Sequence, residues 1–418
     1  MATFTVTTNA DSGAGSLRQA VLDANAAPGE DSIVFDAAFD GGAEDLIRLT
    51  SGQIDVTGRL NIFGGPSRVT ITGDAAGDDV TDAAGITDVA ASGAARLDDN
   101  SRIFDASAAL KLDGLVLTGG RTTGEGEGGG AVQTNGRLTL IDCTVSGNST
   151  IGAGAHGGAI GSHYFADARI TLADCTISGN STAGDRAYGG GVGGDQFLLL
   201  RLANCTVSGN STIGDGSFGG GVYGGTVRLS NSTVSENNTT GYSSHGGGIG
   251  ASGQVTLNSS SVSENAATGS GRGGGILGGY VTLTNSTVIG NSADGLGGGV
   301  FTWESVTLTG STVSSNSAAG GGGGILGSYV TVRNSTVNGN STEGPGGGII
   351  VTHWNYAEFA TAKVVNSTIS GNSAAGEDGR GGGIAGSYVT LRDSTVSGNS
   401  ADSGGGGVSA WGGNYGGA

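Results

Sequence analysis

The chain has 418 residues, 89 of them glycine, with 18 basic against 36 acidic side chains and a net charge of −18. Glycine without a collagen period, beside 36% hydrophobic residues, argues against both a triple helix and a disordered tract. The acidity makes nucleic acid and anionic membrane poor partners, and no apolar run is long enough for a transmembrane helix, so this segment is not expected to insert into a membrane.

Residues 3–8 read as a strand entered directly from the N-terminus, with no secretory leader. Residues 15–25 are the one convincing helix. Ser16 with Gln19 forms a capping box, Leu17, Ala20, Val21 and Ala24 make one apolar stripe, and Pro28-Gly29 stops it. Irregular strands follow at 33–35, 46–49, 53–56, 60–63, 69–72, 110–112 and 115–117. Between them, 73–100 reads as an acidic loop. Asp74, Asp78, Asp79 and Asp82 are candidate Ca²⁺ ligands; they lack the EF-hand order, and a plain solvated loop is the simpler reading. No cofactor is required.

From residue 128 onward one unit recurs. Its clearest copy is Tyr-Val-Thr-Leu-Thr-Asn-Ser-Thr-Val-Ile-Gly-Asn at 280–291, preceded by Gly-Gly-Gly-Ile-Leu-Gly at 273–278. A Val or Ile followed three places later by Asn returns at intervals of 24 to 32 residues, counted by subtraction. Such a period means a solenoid, and a unit of Val, Thr, Ile and Gly alternating at period two is not helical. Val281 and Leu283 share one face, Ser286 and Val288 another, and the glycine segment presents Ile276. Three short strands per coil thus surround one interior that only stacking can bury. Ten to thirteen coils at the sheet spacing make a stack on the order of 50 to 60 Å long.

The repeated asparagines are Asn148, Asn180, Asn210, Asn237, Asn265, Asn291, Asn316, Asn340, Asn372 and Asn399. They read as corners in the left-handed backbone region whose amides bond from coil to coil as a ladder. The fold class is therefore all-β: a parallel β-helix with three strands per coil and an N-terminal strand-plus-helix cap. The divisions are a cap at 1–40, divergent first coils at 41–127 and regular repeats at 128–418. Cys143, Cys175 and Cys205 occupy the place of Ser232 or Ser286. In-register stacking makes their Cβ vectors parallel, so buried free thiols are expected rather than a disulfide.

Gly-Gly-Ala-Ile at 157–160, with its GGGI and GGGV variants and the apolar-x-x-Asn partner, resembles the repeats of the polymorphic outer-membrane proteins. These are right-handed parallel β-helices of bacterial autotransporters. Their second motif carries Phe where this chain has Val or Ile. Residues 15–21, Gly-Ser-Leu-Arg-Gln-Ala-Val, are similar to the CSLREAI-type segment of secreted bacterial β-helix proteins, with Gly15, Gln19 and Val21 as departures. The resemblances imply a right-handed helix on a secreted or bacterial cell-surface protein.

Solenoid loops carry function. Tyr164, Tyr280, Trp303, Tyr329, Trp354, Tyr356 and Tyr388 fall at one corner of successive coils, with carboxylates nearby, and are the candidate residues for a glycan or cell-surface ligand. The expected role is a non-catalytic adhesin passenger or stalk. One alternative is a polysaccharide lyase or glycoside hydrolase. No catalytic set is assigned, because His156, His163, His245 and His353 lack a nucleophile pattern and no paired carboxylates stand out. The other alternative is a self-assembling structural protein. The last coil, after Ser400, reads as uncapped, so end-to-end self-association is an expectation.

Overall fold

The computed structural model describes residues 1–37, 39, 42, 45–66, 68–77, 100–163, 168–352 and 360–410. The chain divides into two compact units, Met1–Thr226 and Val227–Ala418. Each is a parallel β-helix built of three sheets, as the repeat predicts. Among the described residues no helix is long and apolar enough to cross a membrane.

In the first unit, Thr3–Val6 pairs with Glu30–Phe35, and the same sheet continues through Arg59–Phe63, Leu110–Asp113, Arg137–Ile141, Arg169–Ala173 and Leu199–Ala203, every pairing parallel. A second sheet stacks six strands, from Leu46–Arg48 to Thr206–Ser208. The third is made of two-residue strands such as Ser149–Thr150 and Ser181–Thr182. In the second unit the second sheet stacks seven strands, Thr233–Ser235 to Thr395–Ser397, among the described residues.

The partition of a coil differs from expectation in one respect. The glycine segment was expected to form its own strand with Ile276. It does so in coils such as Ile325–Gly327 followed by Tyr329–Arg333, or Ile160–Ser162 followed by Arg169–Ala173, whereas Ile276–Thr284 runs on as one strand; in each case the two stretches belong to one sheet. The third sheet is supplied by the two residues after the ladder asparagine, Ser292–Ala293 in this coil. Period-two alternation explains the core. Val145, Ile177 and Val207 in the first unit are fully buried, as are Val262, Val288, Val313 and Val337 in the second. Each such side chain contributes about 1.5 to 3 kcal/mol by leaving water.

The ladder is present in both units. In the first, Nδ2 of Asn148 donates to Oδ1 of Asn180 at 3.0 Å, and Asn180 to Asn210 at 2.9 Å. In the second it runs from Asn237 through Asn265, Asn291, Asn316, Asn340 and Asn372 to Asn399, each step 2.9 Å. The expected left-handed backbone, however, is not at these residues. It falls one place earlier, at Gly179 (φ 62°) or Glu264 (φ 56°), and at the other corner, where Asn285, Asn334 and Asn366 have φ of 48 to 50°. The ladder asparagine is selected for its amide, and a separate set of Asn and Asp residues takes the strained turn.

The helix spans Leu17–Ala26 and buries Leu17, Ala20, Val21 and Ala24. Only half of the capping box forms. Ser16 Oγ accepts from Gln19 N, but the Gln19 side chain donates to Asp23, and Ser16 N donates to Gly13 O. The helix is held to the early coils by Arg18, which donates to the carbonyls of Gly52 and Gln53, and by Asn25, which engages Asp55, Thr57 and Gly58.

Cys143, Cys175 and Cys205 are buried and free. Burial and the row of neighbouring sulfurs set their acidity: the hydrogen bond with Cys143 pushes Cys175 up to about 12, and Cys175 raises Cys205 further. In the second unit the same row is serine. There Ser260 N donates to Ser286 Oγ at 3.1 Å and Ser286 N to Ser311 Oγ at 3.1 Å.

Candidate functional site

In the second unit the outward side chains of the long strands align by register. One row reads Gln254, Tyr280, Ser305, Tyr329, Thr361 and Tyr388. Tyr280, Tyr329 and Tyr388 are 52, 43 and 49% exposed. They alternate with small hydroxyl residues, so successive tyrosines sit two coils apart, about 9.6 Å. The next outward row is Thr256, Thr282, Thr307, Thr331, Lys363 and Thr390. Flat aromatic surfaces therefore border a file of hydroxyl donors and acceptors on a parallel sheet.

Trp303 lies beside this row at an irregularity in the ladder. Gly278 pairs with Thr302 and Tyr280 with Ser305, so Trp303 and Glu304 stand against Gly279 alone. This bulge re-aims the side chain. The indole meets the buried Phe301 ring edge-on at 5.6 Å and 86°. Its backbone is fixed by Ser328, whose hydroxyl donates to Trp303 O at 2.8 Å and whose N–H donates to Glu304 O at 3.1 Å. The structure thus brings together four of the seven aromatic candidates. Tyr164, Trp354 and Tyr356 lie outside the described residues, as do Asp78, Asp79 and Asp82 of the acidic loop.

Asp74, the one described member of the proposed Ca²⁺ set, is turned toward protein. Its carboxylate accepts from Gly77 N and lies 3.7 Å from Arg48 Nη1. Among the described residues no group of three or more His, Cys, Asp and Glu side chains is placed to hold a metal ion.

The first unit contains a constellation the sequence did not reveal. A cleft of about 590 Å³ is lined by Gln53, Arg102, Asp105, Arg121, Glu127 and His163, among others. Arg102 is buried. Its guanidinium donates to the carbonyls of Gly128 and Gly129 at 3.1 to 3.3 Å, to Gln53 Oε1 at 2.8 Å and to Asp105 Oδ2 at 3.3 Å. His163 Nε2 stands 3.8 Å from Asp105 Oδ1. His163, and then Arg102 against the opposing effect of burial, hold the Asp105 carboxyl below its usual range. Asp105 lies on the strand Phe104–Ala106 and His163 directly follows the strand Ile160–Ser162, two coils on with Val132–Thr134 between them. They are 58 residues apart by subtraction, and no local motif joins them.

Two other histidines are structural. His156 is buried, accepts from Tyr188 N at its Nδ1 at 3.1 Å, and stacks on the Tyr188 ring at 4.6 Å and 8°. Burial pushes it down to about 4, against the pull of Asp195. In the second unit His245 accepts from Arg272 N at 3.1 Å, and burial, then Arg272, holds it at about 4. For His156 the folded value lies below the unfolded one, so the unfolded chain binds its proton first. Stability is full above about pH 6.5 and is lost as the pH falls toward 4, by on the order of 3 kcal/mol. Urea denaturation at pH 7 and pH 4.5 checks this. His156→Asn, which keeps an acceptor near the Tyr188 N–H, is expected to flatten the dependence; an unchanged slope would remove His156 as its source.

Comparison of the chain with protein-family models, with curated proteins and with solved structures returns no match.

Proposed function

We propose that the protein is a secreted or cell-surface β-helix that binds glycans without cleaving them, through the tyrosine and threonine rows of its second unit. The observation that carries this is the register of Tyr280, Tyr329 and Tyr388, three exposed rings in one line on a parallel sheet. Sugars present apolar ring faces and equatorial hydroxyls together. Rings at regular intervals beside hydroxyl rows match both. An adhesin role, in which a surface-anchored β-helix holds this face out to a neighbouring cell, follows from the same chemistry.

The test is a glycan array probed with the wild-type chain and with Tyr329→Ala. Tyr329 stands at the middle of the row, and losing its ring is expected to weaken retention by roughly 5- to 30-fold, the equivalent of about 1 to 2 kcal/mol of contact. If wild type retains no glycan, or if Tyr280, Tyr329 and Tyr388 can all become alanine without loss, the reading fails.

A second reading is favoured by the Asp105–His163–Arg102 cleft of the first unit. A histidine beside a carboxylate can move a proton, and a buried arginine can neutralise a substrate anion. That is the equipment of a polysaccharide lyase or hydrolase. Incubation with acidic polysaccharides decides it. New reducing ends or unsaturated products that vanish in His163→Ala would establish cleavage, and their absence across substrates would leave binding alone.

A further inference from the structure

A net charge of −18 hides one basic face. In the first unit, five consecutive strands of one sheet each place one cation outward: Arg59, Lys111, Arg137, Arg169 and Arg201. Register puts Arg137 directly opposite Arg169, and Thr139, beside Arg137, opposite Lys111 and Thr171. Arg201 continues the Thr171 row. The chain has 18 Lys and Arg in all, so more than a quarter of its cations lie on this one face. The face is shallowly concave, with adjoining depressions of about 490 and 280 Å³ over these residues.

The four arginines are exposed, and none has an ion pair among the described residues. Lys111 alone is paired, to Asp113 at 3.1 Å, and it also covers the Phe63 ring at 5.1 Å. Like charges directly opposite on neighbouring strands repel. Arg137 and Arg169 therefore stand one coil apart, and no ion pair among the described residues offsets that repulsion. An anionic group seated between the two guanidiniums would accept from both and remove it.

We propose that this face binds a linear acidic polysaccharide lying along the stacking direction, its carboxylates or sulfates meeting one cation per coil at intervals of about 4.8 Å. The interleaved Thr139 and Thr171 supply donors and acceptors for sugar hydroxyls, while Asn61 Nδ2 donates to Glu30 Oε1 at 2.9 Å, the one carboxylate among the residues lining these depressions, set opposite Arg59 by register. Nucleic acid fits less well. Duplex phosphates recur about every 3.4 Å along a strand, off the coil spacing, and single strands need exposed aromatic platforms. The residues lining these depressions include no aromatic ring, and Phe63 lies under Lys111. The inference is independent of the tyrosine rows, because it concerns a different unit and a different chemistry.

The test uses the full chain, with polygalacturonate and chondroitin sulfate as carboxylate and sulfate probes, dextran as neutral control and a single-stranded oligonucleotide as the rival polyanion. Binding is followed by calorimetry over a salt series. Wild type is expected to bind one or both acidic glycans, and to bind them less as salt rises. Arg137→Ala/Arg169→Ala is expected to weaken this by roughly 10- to 100-fold, the loss of two charge-assisted contacts, and to flatten the salt dependence. The same variant should melt no lower than wild type, because a repulsion has been removed; a role only in folding would lower it. Tyr329→Ala should leave acidic-glycan binding unchanged, which separates this proposal from the glycan reading of the second unit. Unchanged affinity in the double variant, no acidic glycan bound at low salt, or tighter binding of the oligonucleotide would overturn the inference.

Discussion

Asn291→Ala is expected to destabilise the second unit by about 4 kcal/mol, because one amide serves four buried groups. Asn291 Oδ1 accepts from both Nδ2 and N of Asn265, at 2.9 and 3.0 Å. Its Nδ2 donates to Asn316 Oδ1 at 2.9 Å and to Val262 O at 3.0 Å. The residue is fully buried, so water does not replace what is lost. Each unsatisfied group costs about 1 to 3 kcal/mol, and partial relaxation brings the total below the simple sum. Asn291→Asp is expected to be at least as damaging at neutral pH. Its second oxygen would face Asn316 Oδ1 and Val262 O, acceptor against acceptor, with a charge buried between them. Urea denaturation of the three proteins measures this; a loss under about 1 kcal/mol for Asn291→Ala would mean the ladder accompanies the fold without stabilising it.

Gly298→Val is expected to prevent the second unit from folding as described. A Cβ built on Gly298 would overlap the carbonyl oxygen of Ser317 in the next coil and approach Gly323 O to 2.6 Å, closer than real Cβ contacts come. Both are backbone atoms and cannot swing aside. Moving the corner would break the coil-to-coil bonds Gly298 N→Gly322 O at 3.1 Å and Gly299 N→Gly323 O at 3.1 Å. The expected cost exceeds about 4 kcal/mol, the range of the most damaging single substitutions. Gly136→Ala is the control: nothing lies within 4 Å of its added Cβ and its φ is ordinary. It should be neutral or stabilising by about 0.4 to 1 kcal/mol through the unfolded state. Circular dichroism and thermal melts distinguish the two. A cooperative, wild-type melt for Gly298→Val would show that the corners are not closely packed.

The corner glycines and the ladder asparagines were both legible in the amino-acid order, for a shared reason. A stacked coil meets its own kind above and below, so a residue that suits one coil suits the next, and the requirement is written ten times over. The alternation that buries Val288 and Leu283 repeats in the same way. What did not repeat was harder to read. The left-handed turn was assigned to the ladder asparagine because Asn tolerates it, whereas Glu264 or Gly179 takes it and the asparagine keeps ordinary backbone. The short strand Ser292–Ala293 was overlooked because two residues carry no alternation to detect.

Composition and period by themselves determined the parallel β-helix, its buried valine and isoleucine files, the amide ladder, the three buried thiols and the amphipathic helix Leu17–Ala26. All of these depend on local alternation or on repetition at matched phase. Only the tertiary structure decided which charged side chains share a face. Arg59, Lys111, Arg137, Arg169 and Arg201 are separated by 52, 26, 32 and 32 residues, by subtraction. Coils of unequal length erase any period in the sequence, yet backbone hydrogen bonding brings each strand back to the same register. Asp105 and His163 meet for the same reason. Net charge is a sum and carries no position, so a chain of −18 could not disclose a basic face until stacking had placed its arginines one above another.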